Sequence, residues 1–487
     1  MKKVGIIGAG IGGIATAIRL AVKGYKVEVF ESNSYVGGKL SEIRLGNYRF
    51  DAGPSLFTMP QFVEELFLLA GKDVKQYFTY EKLDTICKYY YEDGTILEAY
   101  ADKERFAKEM EEKLGEPQQK VLSYLKNSAK KYDITANLFL KRSLHKWHTW
   151  LNRDAFKGYL NLHHLGIFRT MNQYNEKYFT DKRAIQLFNR YATYNGSDPY
   201  QTPATLTIIP HLEYNIGAFF PKGGMYAITK SLAKLAEDIG VKFHLQTKVE
   251  EIITEKNVVK GLQVGGEMLP FEVIVSNVDM VATYKYLLPK AHQPEKLLSQ
   301  PKSSSALIFY WGIAKEFPEL RVHNIFFSKD YQKEFEHIFI HQNLSEDPTI
   351  YINIASKGEP TDAPKNAETW FVMINTPNNT GQDWDKLIAE ARKNILSKLK
   401  RLLETDIESL IEVEDILDAR KIELKTTSSQ GALYGNSSNN KYAAFLRHPN
   451  FSREFANLYF VGGSVHPGGG IPLCLSSAAI TADLIKP

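Results

Sequence analysis

Lys3-Val4-Gly5-Ile6-Ile7-Gly8-Ala9-Gly10-Ile11-Gly12-Gly13 stands at the head of the chain, and Lys26-Val27-Glu28-Val29-Phe30-Glu31 follows shortly after. The first six residues read as a buried strand. Residues 12–23 read as a helix, with Ile14, Ala17, Ile18 and Ala21 on one face and Gly24 as its stop. The second quoted stretch reads as another strand. A strand, a helix and a strand in this order imply a parallel sheet and an α/β fold. The turn between the first strand and the helix fits G-x-G-x-x-G. Gly8 allows the tight turn, Gly10 lets backbone approach a pyrophosphate, and Gly13 lets helix and strand pack closely, with Gly12 between them. The helix start presents unpaired N–H groups to phosphates. Glu31 ends the second strand 23 residues after Gly8, where a carboxylate accepts hydrogen bonds from ribose hydroxyls and disfavours a 2′-phosphate. The stretch therefore predicts a dinucleotide site, and NADP is not its guest.

Outward from this unit the chain keeps the character of a folded protein. Its 487 residues are 44% hydrophobic and 24% charged, which excludes large-scale disorder and fibrous architecture. Lys plus Arg number 60 and Asp plus Glu 56, a net +4, too balanced for nucleic acid as the main partner. The two cysteines, Cys87 and Cys474, build neither a disulfide framework nor a thiolate metal site, and a reducing cytoplasm is the simplest home. Glycines interrupt the apolar N-terminus, which argues against a secretory signal. No stretch reaches the roughly 18 uncharged apolar residues of a membrane span. Helices are predicted over 117–140, 225–238 and 384–403, and strands over 242–245, 250–254, 258–264 and 272–276. The chain closes with a strand at 457–461 and a helix at 476–485.

Two further glycine clusters point to the same ligand. Gly37-Gly38-Lys39 follows Glu31 closely, giving a second backbone approach and a cation that could neutralise phosphate; the extra loop favours FAD over NAD. Residues 461–477, VGGSVHPGGGIPLCLSS, place Gly463, Gly470, Ile471 and Pro472 ahead of the last helix, whose N–H groups would face the electron-rich flavin ring. His466 reads as structural. His145, His148, His163 and His164 lack carboxylates at metal-ligand spacing, so no metal site is expected. Residues 142–174 interleave Trp147, Trp150, Phe156, Tyr159, Phe168 and Tyr174 with Arg and Lys. This suits either a membrane surface or a surface helix with a packed aromatic face.

Four blocks together resemble the bacterial phytoene-desaturase type of carotenoid desaturase. They are GAGIGG with Glu31 and Gly37–Lys39; DAGPSLFTMP, residues 51–60, which contains Gly53 and Pro54; YATYNGSDPYQTPATL, residues 191–206, leading to FFPKGGM, residues 219–225; and residues 458–478. SNVD, residues 276–279, looks like the family's Ser-Asn-x-Asp strand end. Within the family, residues 303–380 look closer to the 3,4-desaturases. The resemblance implies a two-domain flavoprotein of α/β (α+β) class, with a Rossmann-like FAD-binding domain of the glutathione-reductase and amine-oxidase kind. Residues 1–80, 220–290 and 455–487 would hold FAD, with Val249 near the adenine. Residues 81–219 and 291–454 would hold the substrate and meet the membrane. The reaction implied is 3,4-desaturation of a late acyclic or monocyclic carotenoid, gamma-carotene-like, with or without a 1-hydroxyl group, by a cytoplasmic enzyme peripheral to the membrane that passes electrons to quinone or oxygen. No catalytic residue is assigned. Gly463-Ser464 stands where many flavin folds carry Gly-Asp or Gly-Glu, which leaves the anchor of the ribityl chain open. Competing readings are phytoene desaturation, a flavin amine oxidase or carotenoid isomerase on this scaffold, and a prenyl-protein escort that has lost its flavin.

Overall fold

The computed structural model describes residues 2–440, 442 and 447–486. The opening unit forms as expected: strand Lys3–Ile7, helix Ile11–Val22 and strand Lys26–Phe30. Strand Lys3–Ile7 is central in a five-stranded, all-parallel sheet. Its partners are Lys26–Phe30 and Lys242–His244 on one side, and Val273–Ser276 and Leu458–Phe460 on the other. The sheet thus draws strands from the start, the middle and the end of the chain. Parallel sheets are covered on both faces. Here helices Ile11–Val22, Tyr226–Asp238 and Ile471–Leu484 bury Ile14, Ile18, Leu232, Leu475 and Ala478 on one face. On the other, Ile7, Phe30, Ile274 and Phe460 pack against the antiparallel strands Val249–Glu255 and Val258–Val264.

A second, seven-stranded mixed sheet lies beyond. Its order is Ile411–Leu417, Ser305–Ile313, Glu368–Thr376, Ile350–Asn353, His323–Phe326, Thr85–Tyr90 and Ile96–Tyr100. All nine residues of Ser305–Ile313 are buried, so apolar residues occupy both faces. Leu307, Phe309 and Trp311 pack beneath helix Trp384–Leu402, through its Ala391, Ile395 and Leu399. Ala306, Ile308 and Tyr310 meet Tyr48 and Phe50 of the hairpin Glu42–Leu45 and Tyr48–Asp51. A helical layer, including Lys103–Leu114 and Gln118–Lys141, completes the far side around Phe106, Tyr124 and Phe188.

The last helix departs from expectation. It starts at Ile471, not Ser476, and takes Pro472 into its first turn. A proline there loses no helical hydrogen bond, because the first N–H groups of a helix have no partner in any case. Gly470, at φ 104°, makes the bend that lets the helix begin so soon.

Candidate functional site

Every site residue named above except Gly13 borders one cavity of about 1270 Å³. Gly13 stands behind it: a Cβ there would lie 2.2 Å from the Gly8 carbonyl oxygen. Only glycine allows the helix to start this close to the strand, which is the packing role its spacing predicted. Gly8 itself adopts φ 94°. Gly53 is needed for the same kind of reason, since its Cβ would lie 1.8 Å from the Lys39 carbonyl oxygen.

The two ends of the chain meet here. A Cβ on Gly12 would come within 3.3 Å of Gly462 Cα and 2.7 Å of Asn277 Oδ1, and one on Gly10 within 2.8 Å of Asn277 Nδ2. Asn277 continues the strand Val273–Ser276, so three separate strand ends converge on its amide. Its Oδ1 is buried with no hydrogen-bond partner. An orphaned buried acceptor ringed by glycine backbone fits a ligand that supplies donors of its own, as a dinucleotide does. Glu31 holds the turn closed: its carboxylate accepts the Ala9 N–H at 2.8 Å and both the backbone and side-chain N–H of Asn33 at 2.9 Å.

Lys39 differs from expectation. Its ammonium donates to the carbonyls of Ala432 and Leu433, at 3.1 and 2.9 Å. Burial lowers its pKa, and Asp279 and Cys474 oppose that shift. Ser464, which stands where many flavin folds carry an acid, accepts the Met280 N–H at 3.0 Å, which ties the terminal loop to the Ser276–Asp279 strand end. Asp51 accepts the N–H groups of Met225 and Tyr226 at 2.8 and 3.0 Å. That bond pair caps helix Tyr226–Asp238 and explains why the DAGPSLF and FFPKGGM blocks occur together.

The terminal loop is fastened on its outer side as well. His466 is buried, its pKa depressed by burial to about 3, and it hydrogen-bonds the Arg142 carbonyl through Nε2 at 2.9 Å. The Ser476 hydroxyl donates to the Leu140 carbonyl. Both partners lie where helix Gln118–Lys141 passes into the aromatic segment. That segment divides: Trp147, Leu151, Phe156, Leu160 and Phe168 are 63–91% exposed, whereas Tyr174 packs against the core near Tyr124.

Away from the glycines the cavity wall is made of side chains. Ile308, Tyr310, Ile325, Phe371 and Met373 of the seven-stranded sheet line it. Among them stands a polar group that the sequence did not announce. Arg190 donates to Tyr89 Oη at 2.8 Å and to Glu213 at 3.3 Å, and Glu213 also accepts the hydroxyls of Tyr191 and Tyr194. Beside them, Tyr351 Oη lies 2.8 Å from both Ser55 Oγ and His323 Nδ1. No signal of spacing could have found this group: Arg190, Glu213 and His323 sit on three different elements that are joined only by the fold.

Comparison with known proteins gives this geometry a context. The flavin containing amine oxidoreductase family matches residues 11–486. A 1-hydroxycarotenoid 3,4-desaturase of Flavobacterium sp. (strain P99-3) is 53% identical, over 100% of this chain and 99% of its own length. A phytoene desaturase of Fusarium fujikuroi is 30% identical, over 99% of this chain and 89% of its own. Among solved structures, the cyclohexylamine oxidase of Brevibacterium oxydans IH-35A superposes with a TM-score of 0.61 at 16% identity, covering 99% of each chain.

Proposed function

This chain belongs to the flavin containing amine oxidoreductase family, and within it to the carotenoid desaturases; on that premise we propose that it is an FAD-dependent 3,4-desaturase of a 1-hydroxylated acyclic or monocyclic carotenoid. The observation that carries the reading is the continuity of the cavity. One space runs from the glycine cradle to the aromatic wall of the seven-stranded sheet. We assign the cradle residues Gly8, Gly10, Gly12, Gly13, Glu31, Gly38, Gly53, Pro54, Val249, Gly463, Gly470, Ile471 and Pro472 to the cofactor, together with Asn277, and Lys39 to its terminal-loop side. The domain division given by the resemblance is retained in the same reading.

When bound, FAD supplies the acceptor for a hydride from an allylic carbon. The positive charge left on the substrate spreads along the polyene, so the proton from the adjacent carbon needs only a weak base or water. The protein's own task is to hold the chain straight and dry. Ile308, Tyr310, Phe371 and Met373 do this by offering apolar and aromatic surface on one side of the cavity. Electrons leave to a quinone or to oxygen, since the sequence carries no second nicotinamide motif.

The test is turnover on vesicles. The FAD-loaded protein should show flavin bands in its visible spectrum and should convert a 1-hydroxylated polyene faster than phytoene. Faster turnover of phytoene would overturn the choice within the family, and no flavin bands after FAD addition would favour the escort.

No described helix is long and apolar enough to cross a membrane. The exposed Trp147, Phe156 and Phe168, set among Lys and Arg, support contact with an anionic lipid interface. Changing all three to Ser should weaken binding to anionic vesicles about tenfold or more; unchanged binding would place the contact elsewhere.

A further inference from the structure

We propose that the part of the cavity framed by His323, Arg190 and Glu213 is a hydroxyl-binding pole, which receives the alcohol of a terminally hydroxylated polyene and so sets which end of the chain lies beside the cradle. The inference deepens the desaturase reading and rests on it.

His323 supplies the clearest sign. The Asn353 amide nitrogen donates to the Val322 carbonyl at 3.0 Å, which fixes the orientation of that amide. The same nitrogen lies 3.2 Å from His323 Nδ1. Nδ1 therefore accepts, and the ring proton sits on Nε2. Nε2 is buried and has no partner. Burial, with Arg190 nearby, depresses the pKa of this histidine to about 3, so it is a neutral donor at any working pH.

Arg190 carries a second orphan. Its guanidinium lies against the rings of Tyr89, Tyr191 and Tyr194, with centroids 5.4, 4.4 and 5.5 Å away, yet its Nε is buried without a partner. Unpaired buried donors are costly and rare, and two beside one cavity point to a ligand oxygen. The charges decide which kind of oxygen. Arg190 is already matched by Glu213 at 3.3 Å, so a carboxylate ligand would leave an uncompensated buried charge. A hydroxyl, neutral and both donor and acceptor, leaves none.

Position agrees with chemistry. His323 is joined through Tyr351 Oη to Ser55 Oγ by two contacts of 2.8 Å, and Ser55 adjoins Gly53-Pro54 of the cradle. In a 1-hydroxy 3,4-dehydrogenation the reacting bond begins two carbons from the hydroxyl-bearing carbon. A hydroxyl anchor this close to the cradle therefore suits that bond, and the apolar wall receives the rest of the chain.

The test uses the full chain loaded with FAD and two acyclic polyenes that differ only in a terminal tertiary alcohol, delivered in phosphatidylcholine vesicles. Binding is read from the shift of the polyene absorption bands, and turnover from the lengthened chromophore. The wild-type protein should bind the alcohol roughly tenfold more tightly, the effect of one good hydrogen bond in a dry site. His323→Phe should abolish that preference and raise KM for the alcohol alone. His323→Gln, which keeps an N–H donor, should restore much of it. An unchanged flavin spectrum in all three proteins excludes a lost fold. Equal wild-type affinity for the two polyenes overturns the proposal, as does a His323→Phe protein that loses both alike. Preference for the alcohol without dehydrogenation of either polyene would uphold the pole and overturn the desaturase reading.

Discussion

The cradle and the sheet wall enclose one cavity by opposite means. The cradle is made by leaving side chains out: Gly13 and Gly53 let backbone segments approach to distances that no Cβ would survive, Gly12 leaves room for the Asn277 amide, and Gly8 takes a φ of 94°. The wall is made by putting side chains in: Tyr310, Phe371, Arg190, Glu213 and His323 fill space and carry the polarity. On the proposed assignment the cradle would bind through N–H groups that every sequence possesses, so its specificity would lie in where the chain bends. The wall would bind through chemical groups, so its specificity would lie in which residues are present. A cofactor shared by many enzymes suits the first device, and a substrate peculiar to one enzyme suits the second.

Substitutions can break this contrast. The largest effect is expected in the wall. Glu213→Leu leaves the Arg190 guanidinium buried with its carboxylate gone, which should cost about 3–5 kcal/mol of unfolding free energy in urea titration. A double change with Arg190→Met should recover much of that loss. A single change this costly, yet without recovery in the double, would show that packing and not charge governs the wall. Next comes the cradle. Gly13→Ala puts a methyl 2.2 Å from the Gly8 carbonyl oxygen, which should cost about 1–3 kcal/mol of stability and empty the protein of flavin, read from its visible-to-ultraviolet absorbance ratio. Full flavin content in that variant would break the claim that the cradle works by absent side chains.

A smaller effect joins the two regions. His448 lies behind the cradle and His323 in the wall, and burial depresses their pKa values to about 4 and about 3. An unfolded histidine takes a proton near pH 6.5. Between that pH and the depressed values the unfolded state binds protons that the native state refuses, so stability falls as pH falls. Each residue contributes a slope of up to about 1.4 kcal/mol per pH unit. In urea titrations at stepped pH, His448→Phe should flatten the acid limb down to about pH 4 and His323→Phe should flatten it further, to about pH 3. A limb that neither change flattens would show that the protons enter elsewhere.

The same contrast explains what could be read without coordinates. Gly8, Gly10, Gly13 and Glu31 were legible because one local turn demands them at fixed spacing. Gly53 and Pro54 were legible only through resemblance, since the reason for Gly53, the Lys39 carbonyl, is a tertiary contact. Asn277 was visible within a motif, but its role was not: it depends on the convergence of three strand ends. The start of the last helix was misplaced by five residues because a Gly/Pro-rich run reads as loop, although Gly470 and Pro472 are both compatible with a helix start. Arg190, Glu213 and His323 carried no signal at all. His323 meets Arg190 because strand His323–Phe326 pairs in parallel, across nearly half the chain, with strand Thr85–Tyr90, whose Tyr89 holds Arg190, and sequence spacing does not record that pairing.

The bonds from His466 to the Arg142 carbonyl and from Ser476 to the Leu140 carbonyl give the terminal loop a second duty. The stretch that closes over one end of the cavity also clamps the root of the exposed aromatic segment. Proteolytic nicking tracks local opening, so a chain stripped of its cofactor should be cut first within residues 142–168, far from the cradle in sequence, and reloading with FAD should protect those peptide bonds.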